Sequence, residues 1–223
     1  MSPLLPQPPA CVLFDLDGTL VDSAQDLYAA LETLCAEQHV AVAPFDAVRA
    51  RVSRGSLAIL SASFPGRDEA QLRDLVPRYL EIYAGMLDGA SRLFDGIDTL
   101  LDTLDRRDIP WGVVTNKPGF LAAPLLDYLH MRSRLAALVA GDTLPQRKPD
   151  PEPLWHACSQ AGVEAHDCIY VGDDARDVEA AHRAGMPVIA VAWGYLNGAN
   201  PHDWHAEAVA VDADELARLL GVA

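Results

Sequence analysis

From residue 97 onward the chain alternates between helix-like stretches and short apolar runs, and that alternation constrains the fold more than any other feature. The runs are Trp111-Gly112-Val113-Val114-Thr115, Leu135-Ala136-Ala137-Leu138-Val139, Cys168-Ile169-Tyr170-Val171-Gly172 and Pro187-Val188-Ile189-Ala190-Val191. Short continuous apolar runs of this kind read as strands buried on both faces. The stretches between them, near 97–106, 119–130, 151–161 and 175–184, read as helices, and a last weak strand and helix cover about 207–220. Strands alternating with helices predict a parallel sheet wound on both sides, a Rossmann-like α/β architecture.

A further apolar run, Cys11-Val12-Leu13-Phe14, stands far upstream and reads as the first strand. Between it and the alternating region only helical patterns occur, at about 24–38, 45–51, 55–64 and 69–87, broken by Pro44, Pro65-Gly66 and Gly89. Asp22 or Ser23 is placed to cap the first of these helices, with Gln25 or Asp26 as capping-box partner. The expected organisation is an α/β core of residues 1–22 and 92–223, with residues 23–91 inserted after the first strand as an all-helical cap.

In such a sheet, ligands bind beyond the carboxyl ends of the strands. The first run ends in Asp15-Leu16-Asp17-Gly18-Thr19, and residues i and i+2 of an extended segment point the same way. Two like charges at the end of a buried strand repel, and a cation between them relieves the cost. Alone, Asp-x-Asp-Gly also fits an ordinary turn. The run at 111–115 ends in Thr115-Asn116, and the run at 168–172 ends in Gly172-Asp173-Asp174, with Asp177 four residues after Asp173. Lys148-Pro149 precedes the helix that leads to that last strand. All four clusters fall at one edge of the expected sheet.

The chain has fifteen arginines and two lysines, Lys117 and Lys148. A lysine kept at a strand-edge loop suggests a need for a compact point charge that arginine does not supply. Lys117, beside Pro118, reads equally as a surface lysine. The set is chemically coherent. A carboxylate can attack phosphorus, a second acid can move the protons, and oxygen ligands at Asp15 and Asp173 suit Mg²⁺. Lys148, the Thr115 hydroxyl and backbone N–H groups at Gly18 and Asn116 are candidates to hold phosphate oxygens.

The formal net charge of −15 argues against nucleic-acid or anionic-membrane partners, and it demands local cations if the substrate is an anion. The four cysteines have no metal-type spacing and suggest neither a disulfide framework nor an oxidising compartment. Residues 1–9, with four prolines, read as a loose leader rather than a signal peptide, and no run is long enough for a membrane helix. A cytoplasmic protein is expected.

The motifs Asp15-Leu16-Asp17-Gly18-Thr19, Thr115-Asn116, Lys148-Pro149 and Gly172-Asp173-x-x-x-Asp177, in that order, resemble the haloacid dehalogenase-like (HAD) phosphatase superfamily over nearly the full chain. The resemblance implies a Mg²⁺-dependent phosphomonoester hydrolase. Asp15 would be the nucleophile and Asp17 the acid/base, with Mg²⁺ on Asp15, the Asp17 carbonyl and Asp173, supported by Asp177. The phrases Trp111 to Pro118 and Lys148 to Leu154 are similar to the phosphoglycolate phosphatase branch and to bacterial N-acetylmuramic acid 6-phosphate phosphatases. Both substrates carry a carboxylate beside the phosphate. Gly18, Thr19, Arg54 and Gly55 are therefore candidate substrate contacts, although Arg51 and Arg54 read equally as solvated helix charges. A sugar phosphomutase shares every core motif. A 2-haloacid dehalogenase needs no acid at the position of Asp17, and a phospho-receiver module is about half this length. Oligomeric state is not legible.

Overall fold

The computed structural model describes residues 5, 8–87 and 89–223, so most of the expected leader lies outside the described residues. Strand β1 (Cys11–Phe14) leads through a short strand β2 (Val21–Asp22) into four helices: α1 (Ala24–Glu37), α2 (Phe45–Arg49), α3 (Ser56–Ser63) and α4 (Glu69–Ala84). After a second short strand, β3 (Arg92–Leu93), come α5 (Ile97–Arg106), β4 (Trp111–Val114), α6 (Gly119–Tyr128), β5 (Ala137–Val139) and α7 (Glu152–Ala161). The chain ends with β6 (Cys168–Gly172), α8 (Ala175–Ala184), β7 (Val188–Val191), β8 (Ala208–Ala210) and α9 (Ala213–Leu219). The main sheet runs β5-β4-β1-β6-β7-β8, and every pairing in it is parallel. The α/β architecture read from the alternation is the one observed.

Side chains of a strand alternate between faces, and β1 shows the consequence. Val12 and Phe14 join a core that includes Leu101 of α5, Leu125 of α6 and Leu216 of α9. Cys11 and Leu13 join a second core with Leu154 of α7 and Ala181 of α8. Both faces of the sheet are therefore covered, as a strand without polar residues requires. Each fully buried leucine contributes roughly 1.5–3 kcal/mol. Because β1 lies at the centre of the sheet, its carboxyl end is flanked by the ends of β4 and β6, and the chemistry collects there.

Helices α1–α4 pack on one another, with Leu27, Leu31 and Leu34 of α1 in the same apolar cluster as Leu72, Tyr79 and Tyr83 of α4. Tyr79 donates its hydroxyl to the Leu27 carbonyl (3.0 Å), and the Arg78 guanidinium reaches Glu37 at 2.6 Å. Strands β2 and β3 pair antiparallel, Val21 opposite Leu93 and Asp22 opposite Arg92, and close the two ends of the helical stretch against each other. Two-residue strands carry no period, so the sequence does not announce them.

The expected cap of α1 is corrected. Ser23 and Asp22 make no side-chain bond to the helix. Instead the Ser23 and Ala24 amides donate to the distant Tyr195 hydroxyl (2.8 and 3.1 Å). Asp26, the other supposed capping partner, accepts from the Ala90 and Ser91 amides (2.7 Å each) and the Ser91 hydroxyl (2.5 Å). Among the described residues no helix is long and apolar enough to cross a membrane, and all four cysteines are free and buried.

Candidate active site

Asp15 follows β1 directly, and its amide continues the ladder by donating to the Val171 carbonyl (2.9 Å). Asp173 follows β6, and Asp177 sits in the first turn of α8. Asp15, Asp173 and Asp177 are all buried, and each presents one carboxylate oxygen within 4.8 Å of the others. Lys148 lies under this cluster, its Nζ 3.0 Å from Asp15 Oδ1, 2.7 Å from Asp177 Oδ1 and 2.7 Å from the Tyr170 hydroxyl. The contact with Asp15 Oδ1 lies outside hydrogen-bond alignment, and that buried oxygen has no hydrogen-bond partner.

Three carboxylates around one ammonium leave an excess of negative charge in a site shielded from water. Burial pushes the Asp173 carboxyl well above the ordinary range, with the Asp15 and Asp177 charges adding to it. Burial likewise raises Asp177, to about 6, against the pull of Lys148. For Lys148, burial works against the ammonium, but the Asp15 and Asp177 charges outweigh it and raise its pKa. An all-oxygen cluster with an unpartnered buried oxygen fits a hard divalent cation, which would relieve this repulsion.

The Asp15–Thr19 loop is shaped to hold Asp173. Thr19 Oγ1 donates to Asp173 Oδ1 (3.3 Å), and the Tyr195 amide and Ser53 hydroxyl both donate to Oδ2 (2.8 Å each). Gly18 adopts φ +90°, and a Cβ there would fall 2.2 Å from Asp173 Oδ2. The backbone therefore approaches the carboxylate as only glycine permits. The Gly18 N–H donates to the Val21 carbonyl (3.0 Å), so it is engaged inside the turn, and Thr19 is wholly buried against Asp173 rather than facing the cavity. The tight turn closes its own amides on Leu16 and Val21 carbonyls, which a motif alone does not reveal.

Asp17 lies outside the carboxylate cluster. Lys117 Nζ grips its two oxygens at 3.0 and 3.1 Å and also donates to the Tyr83 hydroxyl of α4 (2.8 Å), while Ser23 Oγ donates to Asp17 Oδ1 (2.5 Å). Lys117 is buried. Burial opposes its charge, and the Asp17 and Tyr83 charges overcome it, so its pKa is raised. The reading of Lys117 as a surface lysine is thus corrected. Thr115 caps its strand end and accepts from the Lys117 amide (3.2 Å). Asn116 clamps the Lys148 backbone through two bonds, accepting from the Lys148 N–H (3.1 Å) and donating to its carbonyl (3.0 Å).

A cavity of about 640 Å³ opens over Asp15, Asp17, Thr115, Asn116 and Lys148, and the helical stretch forms its opposite wall. Arg54 and Gly55, the candidate substrate contacts, line that wall. Ser53 and Arg147 also line the cavity and carried no sequence signal, and Arg176 of the phrase that follows Gly172 joins them. Arg176 donates to the Ser53 carbonyl, and Ser53 reaches Asp173, so the helical stretch sits directly on the carboxylate cluster. Trp193 and Tyr195 lie outside the cavity lining. They brace the motif loop, with the Trp193 indole N–H donating to the Thr19 carbonyl (3.1 Å).

Paired carboxylates, a buried lysine and a facing helical wall on a parallel sheet define a hydrolase class. The chain belongs to the haloacid dehalogenase-like hydrolase family, whose model matches residues 12–191. It is 42% identical over 211 residues to a phosphoglycolate phosphatase of Xylella fastidiosa, covering 94% of this chain and 92% of the relative. It is 37% identical over 211 residues to the N-acetylmuramic acid 6-phosphate phosphatase of Pseudomonas aeruginosa, covering 94% and 93%. The fold matches the crystal structure of a predicted phosphoglycolate phosphatase from Haemophilus somnus with TM-score 0.86 at 23% identity, over 98% of this chain and 99% of the other.

Proposed function

We propose that the protein is a Mg²⁺-dependent phosphomonoesterase working through an aspartyl-phosphate on Asp15. The carrying observation is the division of its two neighbouring acids. Asp15 stands with Lys148 and the carboxylate cluster, while Asp17 is held 3.0 Å from Lys117, free of that cluster. An Asp15 oxygen attacks phosphorus and the ester P–O bond breaks, the departing alkoxide taking a proton from Asp17. Asp17 then removes a proton from water, whose oxygen attacks the same phosphorus. The Asp15–phosphorus bond breaks and inorganic phosphate leaves.

Mg²⁺ would be held by Asp15, Asp173 and the Asp17 carbonyl with Asp177 in support, and it supplies charge that lets an anionic nucleophile meet an anionic phosphate. Lys148 stays an ammonium between Asp15 and Asp177 and orients the nucleophile. The Asp17 and Asn116 amides, which donate to no protein acceptor among the described residues, are available to phosphate oxygens. The substrate is a carboxylate-bearing phosphate ester, with 2-phosphoglycolate and N-acetylmuramic acid 6-phosphate as the two choices that the relatives' activities suggest. Residues 23–91 act as the cap over a core of 1–22 and 92–223, and the protein works in the cytoplasm.

The test is Asp15→Asn. Phosphate release from p-nitrophenyl phosphate should fall by on the order of a thousandfold or more, with the circular dichroism spectrum unchanged. Undiminished turnover in a folded variant would sink the mechanism.

A further inference from the structure

The cavity carries more than a phosphate site. At about 640 Å³ it falls within the range of pockets that enclose drug-sized ligands, roughly 300–1,000 Å³. A two-carbon acid phosphate takes up on the order of 100 Å³, a few waters' worth. Such a substrate would leave most of the space to solvent. The helical stretch is already seated on the core, through Ser53 to Asp173 and Tyr83 to Lys117, so the volume lies between two walls.

The wall opposite the carboxylates is apolar. Leu57 of α3 and Val76, Pro77 and Leu80 of α4 line it, and all four remain partly or fully exposed. An apolar surface facing a cavity is stabilised when a ligand with a carbon-rich face covers it. The cations at the same cavity divide into two groups. Lys117, Lys148, Arg73 and Arg176 each have a carboxylate partner. Arg54 and Arg147, both exposed, have none among the described residues. Among the described residues the Arg54 guanidinium meets the Asn197 amide, which, turned to satisfy both its ends, accepts from it at 3.1 Å and donates to the Ala50 carbonyl at 3.3 Å. In a chain with net charge −15, two arginines left without an acid at a cavity mouth point to an anion that arrives with the ligand.

Resting on the phosphomonoesterase reading, we infer that the site selects a phosphate ester of a sugar-ring-sized or larger body. That body has an apolar face against Leu57, Val76 and Leu80, and it carries a second anionic group for Arg54 and Arg147. The phosphate goes to Asp15, the carbon skeleton to the helical wall and the carboxylate to the arginines. Two-carbon phosphoglycolate fills only the first of these places.

Initial rates of phosphate release from 2-phosphoglycolate, glucose 6-phosphate and N-acetylmuramic acid 6-phosphate by the full-length, Mg²⁺-loaded protein test this. The acylated, carboxylate-bearing ring should exceed 2-phosphoglycolate in kcat/KM by about a hundredfold, within what added apolar contact in a pocket supplies. It should exceed glucose 6-phosphate by about tenfold, the scale of one charge-assisted contact. Arg147→Met, on an exposed loop position, should narrow that second ratio to near unity. A kcat/KM for 2-phosphoglycolate equal to or above that of the large ester overturns the inference and leaves the phosphomonoesterase reading intact. An unchanged ratio in Arg147→Met overturns the anion site. No phosphate release from any of the three, or from p-nitrophenyl phosphate, would instead defeat the underlying reading.

Discussion

Lys117 is the residue whose role depends most on the folded chain. Its two partners, Asp17 and Tyr83, lie 100 and 34 residues away, so no local pattern separates it from a surface lysine. Lys148 was legible because a strand-edge loop and a scarcity of lysines both singled it out. Asp15, Asp17, Asp173 and Asp177 were legible because each ends or follows an apolar run. What could not be read was which way each carboxylate turns. By gripping both oxygens of Asp17, Lys117 fixes the proposed acid/base apart from the proposed nucleophile. Lys117→Met leaves a largely buried carboxylate without its cation, a change that costs about 3–5 kcal/mol when both partners are inaccessible. Urea unfolding should show a loss near the lower end of that range. The kcat for an alkyl phosphate should fall by about 10²-fold, the usual scale of positioned acid–base catalysis. Tyr83→Phe, which keeps the Lys117–Asp17 pair, should do much less on both measures. Equal effects of the two variants would mean that Lys117 serves the helical wall rather than Asp17.

At the scale of elements, the parallel strands and their helices were readable because apolar runs and amphipathic stretches alternate strongly. Their ends shifted where local turns intervened. The helix expected over 45–51 stops at Arg49 and passes into a 3₁₀ turn at Val52–Arg54, and the strand expected from Leu135 begins at Ala137, after a turn at Arg132–Arg134. The start of α1 shows why capping rules can mislead. They look for a nearby side chain, whereas here the Tyr195 hydroxyl accepts from the Ser23 and Ala24 amides and donates to Asp22 (2.8 Å). Asp22 and Ser23 were free to take other partners, and Ser23 took Asp17. Tyr195→Phe keeps the ring and removes the acceptor, leaving two buried amides without it. Such loss costs about 1–3 kcal/mol. The urea midpoint should fall correspondingly with an unchanged slope, and a midpoint equal to that of the parent protein would show that water replaces the hydroxyl without cost.

For the whole molecule, the sequence carried the order of elements but not how the helical stretch sits on the core. That seat is made by single contacts between remote residues, Ser53 to Asp173 and Arg176 to Ser53, which leave no periodic trace. The carboxylate cluster beneath that seat also gives global stability a dependence on pH. Asp173 and Asp177 have folded pKa values raised above the unfolded carboxylate range, Asp177 to about 6 from 3.8. A raised folded pKa means proton uptake on folding, so each contribution is full below the unfolded value and is lost as pH rises through the folded one, about 6 for Asp177. A cation bound there would replace those protons and restore at neutral pH what deprotonation removes. Adding Mg²⁺ to the EDTA-treated protein should therefore raise Tm more at pH 7.5 than at pH 5. A Tm shift that grows as pH falls would contradict the assignment of the cation to this cluster.

The covalent step on Asp15 is the central claim, and Asp17→Asn isolates it. p-Nitrophenolate leaves without needing a proton, so attack by Asp15 proceeds in this variant, while water lacks the base that would activate it. Rapid mixing of the Mg²⁺-loaded variant with p-nitrophenyl phosphate should give a burst of about one equivalent of nitrophenolate. Acid-quenched protein should then carry one phosphoryl group on the peptide containing Asp15. Steady release with no burst, and no phosphoryl group on that peptide, would contradict the account.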